Sequence, residues 1–315
     1  MKRAFLCLLV LFLPMFGCGP EAAHSAAGIA CDTVVTVTAY APQETVDGTL
    51  RICADYEALL SKTVEGSDVW NLNHAEGTPV EVHPETAELL RLAVEIGEAS
   101  DGAFDITIAP VSALWDFTAD EPVLPDPDAL RSAAARVDYR NIGIDGNTVT
   151  LKNNAEIDLG GIAKGYIADR VAEYLHEQGV ISACINMGGN VLTIGTKPDG
   201  TSWTIGIRDP NGTPEQSAEV LKLGDAAVVT SGNYERFFML DGVRYHHILD
   251  PKTGMPVSNG PASVTIIGTR SDLCDALSTA CFVLGEERSR PILDRYGVQA
   301  IFLYGDGSRS AYPEN

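Results

Sequence analysis

Asp158-Leu159-Gly160-Gly161-Ile162-Ala163-Lys164-Gly165-Tyr166-Ile167-Ala168-Asp169-Arg170 decides how this chain is read. Ile157 and Leu159 flank an acid as at the end of a strand, and Gly160-Gly161 lets the backbone turn without a Cβ penalty. Ala163, Ile167, Val171 and Leu175 then recur at helical spacing, which predicts one buried helix face. A glycine pair ahead of a helix leaves N–H groups that can meet a phosphate, and Lys164 adds a positive charge. Plain helix capping explains the same residues. Neither GxxxxGK(S/T) nor GxGxxG is present, so this is no Walker loop and no dinucleotide fingerprint.

Four further stretches follow in order: Asn186-Met187-Gly188-Gly189-Asn190, Thr230-Ser231-Gly232, His246-His247-Ile248-Leu249-Asp250-Pro251-Lys252-Thr253-Gly254 and Asp275-Ala276-Leu277-Ser278-Thr279. With the opening stretch they resemble the ApbE family of flavin transferases, over about Thr33 to Gly305. The resemblance implies an α+β fold, with antiparallel sheets and flanking helices in two similar halves around a flavin site. It also implies FAD as substrate, Mg²⁺ as cofactor, and transfer of FMN to a Ser or Thr of an acceptor protein with release of AMP.

Lys and Arg number 22 and Asp and Glu 43 among 315 residues, a net charge of −21. So acidic a chain argues against nucleic acid as a partner. It also repels an anionic dinucleotide at long range, so a bound cation or local Lys and Arg must offset the field. Lys2 and Arg3 precede the apolar run Ala4–Phe16, too short to span a bilayer as a helix. Met15-Phe16-Gly17-Cys18 resembles a bacterial lipobox. That implies a signal peptide over 1–17, lipidation of Cys18, and a membrane anchor outside the cytoplasm. The site would be the periplasmic face of the inner membrane, or the outer face in a one-membrane host. An ordinary secretory signal cut near the later alanines is the alternative. Residues 18–30 are small and polar and read as a flexible tether, with the transferase-like domain over 31–315. Cys31, Cys53, Cys184, Cys274 and Cys281 form no disulfide framework, a Cys31–Cys53 bridge being one option.

Thr33–Tyr40 alternates as a strand, Thr49–Leu60 reads as a helix, Ser61–Asn73 as a loop, and Pro84 opens a helix to Ala99. Gly146-Asn147 signals a hairpin. Strands are expected over Ser182–Met187, Val191–Thr196, Thr204–Arg208, Ala226–Ser231, Phe237–Leu240, His246–Leu249, Pro261–Thr269 and Val298–Tyr304, with a helix over Ser271–Leu284. Many strands with few βαβ alternations point to α+β.

Asp275 and Thr279 stand one helical turn apart, so a carboxylate and a hydroxyl can offer Mg²⁺ hard oxygen ligands. A solvated helix face with a local hydrogen bond is the bland reading. The resemblance makes both residues metal ligands, with the backbone carbonyl of Gly161 as a third. Adjacent strand residues point to opposite faces, so one of His246 and His247 can face a site; His247 is favoured as proton acceptor. Holding the loop to Asp250 is its alternative role. Asp158 either hydrogen-bonds the flavin or fixes the glycine turn, and Asp169 reads as structural. Lys164 is a candidate phosphate or ring contact, and Thr230 a phosphate or adenosine contact.

By the resemblance the flavin also meets Cys31, where relatives carry a Met, and Thr63, where they place an aromatic. Trp70 either substitutes for that ring or is an ordinary core residue. Ala103, Phe104 and Asp105 of the run Gly102–Thr107 are expected along the flavin, as are Gly188 and Gly189. Catalysis falls to His247 and Asp275. Hydrolysis of FAD to FMN and AMP, or flavin binding by a lipoprotein without catalysis, fits the same residues.

Overall fold

A computed structural model describes residues 22–119, 121–213, 215–258 and 260–314. The expected leader and Cys18 lie outside the described residues. Small and β-branched residues build the first hairpin: β1 (Ala23–Ala30) pairs antiparallel with β2 (Thr33–Tyr40). Cys31-Asp32 close it with φ of 52° and 55°, the two-residue turn whose twist matches that of the strands. The tether expected over 18–30 is therefore corrected from Ala23 onward. Its composition is that of a linker, but the ladder to β2 and the packing of Leu50 over Gly28 order it.

Next come α1 (Gln43–Leu60), α2 (Asp68–Asn73), β3 (Val80–Glu81), α3 (Pro84–Ala99), α4 (Ala109–Ser112) and α5 (Pro127–Ala134). The helix expected from Thr49 starts at Gln43. The loop expected over Ser61–Asn73 ends in α2, where the Ser67 hydroxyl caps the helix by accepting the Trp70 N–H. β4 (Ile142–Asp145) and β5 (Thr148–Leu151) form the expected hairpin, with Gly146 at φ 58°. α6 (Ala163–Glu177) follows the glycine pair.

The second half contains β6 (Ala183–Met187), β7 (Asn190–Ile194), β8 (Trp203–Arg208), β9 (Ser217–Leu223), β10 (Ala226–Gly232), β11 (Phe237–Leu240) and β12 (Val243–His246). It ends with β13 (Ser263–Gly268), α7 (Ser271–Leu284), α8 (Glu286–Tyr296), β14 (Gln299–Leu303) and β15 (Arg309–Tyr312). The strand expected over His246–Leu249 stops at His246, and Leu249 instead bridges Pro256. β9 is half-buried at best and has no apolar face to announce it, while Pro291 interrupts the pattern of α8.

The main sheet runs β1-β2-β6-β7-β10-β13-β14-β15, and every ladder between the described strands is antiparallel, as expected for α+β. Register sets its inner face. Val37, Ile185, Leu192 and Ala227 stand in line, as do Val229, Ile266 and Ala300, and all are buried against α1, α6 and α7. Each large aliphatic there contributes roughly 1.5–3 kcal/mol. No described helix is long and apolar enough to cross a membrane.

α6 and α7 are joined at their N-termini. A Cβ on Gly165 would overlap the Ser271 carbonyl, so only glycine lets the helices approach this closely. The Gly165 N–H donates to Asp275 Oδ2 at 2.9 Å. In return Asp169 accepts the Ser271 and Asp272 N–H groups at 3.0 and 2.8 Å. Each helix thus places a carboxylate on the other's first turn, where N–H groups lack intrahelical partners. Asp169 is structural, as read. Burial, and next the neighbouring Asp272, push its carboxyl up to about 7.

Gly165→Ala is expected to lower thermal stability by roughly 1–3 kcal/mol through overpacking. Gly305→Ala, which faces open space, should be near neutral. Equal melting temperatures for the two variants would refute this account of the joint.

Candidate functional site

A cavity of about 640 Å³ opens where the β1–β2 turn, the Asp158–Lys164 bend, α7 and the β11–β12 ribbon converge. That volume suits a cofactor-sized ligand. Cys31, Thr63, Ala103, Phe104, Asp105, Asp158, Gly161, Lys164, Gly188, Thr230, His247, Asp275 and Thr279 all line it. Gly189 stands just outside the lining, its N–H held by the Asn186 side chain at 2.9 Å. Trp70 is not on the wall; it stacks on His74 with ring centroids 4.0 Å apart.

The glycine pair works by leaving space. Neither Gly160 nor Gly161 has a left-handed φ. A Cβ on Gly161 would lie 3.1 Å from Phe104 Cε2 and 3.6 Å from Thr279 Oγ1, so the buried Phe104 ring and the Thr279 hydroxyl both close on this bend. Asp158 fixes the turn by accepting the Gly160 N–H at 2.9 Å. Its other oxygen is ion-paired with Lys62 at 2.6 Å. The phosphate-ready N–H expected at the head of α6 is corrected at Gly165, where Asp275 already takes it. Lys164 folds back, its Nζ donating to the Gly160 carbonyl at 3.1 Å.

On α7, Asp275 is buried. Oδ2 accepts Gly165, and no described side chain engages Oδ1. One turn later, Thr279 Oγ1 lies 3.2 Å from Ser231 Oγ, which also meets Ser278 Oγ at 2.8 Å. Among the described residues no three His, Cys, Asp or Glu side chains gather into a metal cluster. The oxygen-bearing groups that share the lining with Gly161 instead include one carboxylate, Asp275, and one hydroxyl, Thr279, the latter against Gly161 itself.

The two histidines diverge. His246 is buried, its Nε2 3.0 Å from the Val257 carbonyl and its ring edge-on to Phe282. His247 lines the cavity, and its buried Nδ1 has no partner among the described residues. Burial, then the Arg236 charge, then His246 lower its pKa to about 4. Asp105 is engaged elsewhere: its carboxylate accepts the Thr107 N–H and hydroxyl and the Tyr139 N–H, so only its remaining surface lines the cavity. Cys31 and Cys53 are free thiols, pushed up to about 11 and about 12 by burial first.

Lys62 and Arg236 were missed by the sequence reading. Lys62 carried no signal beyond its place next to Ser61. Arg236 was within reach. Asp241-Gly242 is a two-residue turn pairing Leu240 with Val243, and counting back from it sets Arg236 opposite His247, whose N–H bonds the Arg236 carbonyl at 3.0 Å.

A base works unprotonated, and His247 stays so down to about pH 4. An NMR titration of its imidazole, assigned by loss of the signal in His247→Gln, should show a midpoint near that value. A midpoint near 6.5, the ordinary histidine value, would contradict the burial described.

Comparison with known proteins gives a consistent picture. The ApbE family pattern matches residues 31–302. The chain is 40% identical over 268 residues to a Treponema pallidum protein named FAD:protein FMN transferase, covering 79% of this chain and 74% of that relative. It is 39% identical over 253 residues to a Klebsiella pneumoniae protein of the same name, covering 79% and 78%. The crystal structure of the ApbE protein from Thermotoga maritima superposes with a TM-score of 0.85 at 34% identity, covering 92% of this chain and 96% of that one. The flavin transferase ApbE from Vibrio cholerae superposes with a TM-score of 0.81 at 28% identity, covering 92% and 97%. The chain belongs to the ApbE family.

Proposed function

We propose that this protein transfers FMN from FAD to a Ser or Thr hydroxyl of an acceptor protein, with Mg²⁺ as cofactor and AMP as the product released. The observation that carries this is the meeting of Asp275, Thr279 and Gly161 with His247 on one cavity. The transferase name borne by the relatives supports the same reading.

The donor set fits a hard cation. Asp275 is a buried acid whose Oδ2 takes the Gly165 N–H, and the Thr279 hydroxyl one turn on lies against Gly161 on the same cavity lining. Magnesium held there would neutralise charge on the dinucleotide phosphates. Neutral His247 accepts the proton of the acceptor hydroxyl as its oxygen attacks the flavin-side phosphorus. The bond from that phosphorus to the bridging oxygen breaks, and AMP leaves. The nucleophile arrives on the partner, so the cavity needs no serine of its own.

Cys18 would carry a lipid that holds the enzyme outside the cytoplasm, beside acceptors in or near the membrane. Metabolic labelling with palmitate should mark the wild-type chain and not Cys18→Ser; equal labelling would remove the anchor from this account.

The decisive assay incubates protein, FAD, Mg²⁺ and a candidate acceptor, and follows intact acceptor mass and AMP. The acceptor should gain one FMN, His247→Gln should slow transfer about 10²–10⁴-fold, and chelation should stop it. FAD left intact in the presence of metal and acceptor would sink the proposal. AMP release at full rate without any acceptor would make the enzyme a hydrolase.

A further inference from the structure

The cavity has an unclaimed cation. Among the described residues that line it, the Lys and Arg side chains are Lys62, Lys164 and Arg236. Lys62 is neutralised by Asp158. Lys164 donates to a backbone carbonyl. Arg236 makes no ion pair with any described carboxylate, and the adjacent Glu235 lies 3.4 Å from Arg208 instead. In a chain with 43 acids to 22 bases, an arginine on the cavity lining without an ion pair to any described carboxylate stands out.

Its place follows from the ribbon. Phe237 pairs with His246, and just beyond that ladder the His247 N–H bonds the Arg236 carbonyl. Arg236 therefore stands beside His247, and both line the cavity that Thr279 and Asp275 also line.

We propose that Arg236 binds the diphosphate of the dinucleotide and so distinguishes FAD from flavins that lack it. This rests on the functional reading above, which supplies the dinucleotide. The chemistry is specific. A guanidinium presents a planar fork of donors that matches two phosphate oxygens, whereas an isoalloxazine or adenine ring offers no anion. The long-range field of so acidic a protein opposes an anionic ligand, and a cation on the cavity lining offsets it at close range, beside any bound metal.

The test compares FAD with riboflavin, which has the same ring and no phosphate. Binding of each to wild type, Arg236→Gln and Arg236→Lys is followed by flavin fluorescence, with thermal unfolding confirming that the variants fold. Arg236→Gln should weaken FAD about tenfold or more, a loss near 1.4 kcal/mol, and leave riboflavin unchanged. Arg236→Lys should recover part of the loss. Parallel weakening of both flavins, or of neither, would overturn the assignment. A wild-type protein that binds neither flavin would overturn the functional reading itself, and this inference with it.

Discussion

Two helices that cap one another hold this site together. Asp169 of α6 closes the head of α7, and Asp275 of α7 closes the head of α6. The exchange requires glycine at 165, because any side chain would meet the Ser271 carbonyl and push the helices apart. Once they are locked, the Gly160-Gly161 bend that leads into α6 and the Asp275–Thr279 turn of α7 have no freedom to separate. The distance between the proposed metal donors is thus a by-product of helix packing.

The same joint gives the buried Asp275 carboxylate a double duty. One oxygen satisfies a backbone N–H that has no other partner, which makes burial of the charge tolerable. The other oxygen is left for a ligand. Four of the other carboxylates on the lining are engaged: Asp158 by Lys62, Glu235 by Arg208, Glu57 by the Cys31 N–H, and Asp105 by hydroxyl and N–H donors. The cavity wall is therefore less hostile to anions than a net charge of −21 suggests.

How much of this could be read in advance depended on the kind of signal. The helix Ser271–Leu284 was legible to its ends because its apolar stripe is continuous and Gly285, at φ 73°, stops it. Thr33–Tyr40 was equally plain from alternation. Residues 23–30 were not, since Ala, Ser and Gly describe a linker as well as they describe an edge strand, and only pairing with β2 decides. The glycine bend was located correctly, but its cause was not. Crowding by Phe104 and Thr279 comes from residues far along the chain, and no local pattern encodes it. The Lys62–Asp158 pair escaped for the same reason: attraction between positions 62 and 158 leaves no periodicity.

The β11–β12 ribbon lies outside the main sheet. It is held by stacked rings, with Phe238 and Tyr245 against Trp115 and Phe117, while Trp115 Nε1 donates to the Gly254 carbonyl. Aromatic contacts of this kind hold about 0.5–1.5 kcal/mol each and tolerate sliding, unlike a hydrogen-bonded ladder. His247 and Arg236 thus sit at the base of a ribbon anchored by side-chain contacts, whereas Asp275 and Thr279 sit on a helix packed against the main sheet. Faster amide exchange along Phe237–Leu240 than along Ala226–Gly232 would be the signature of that division, and equal protection would deny it.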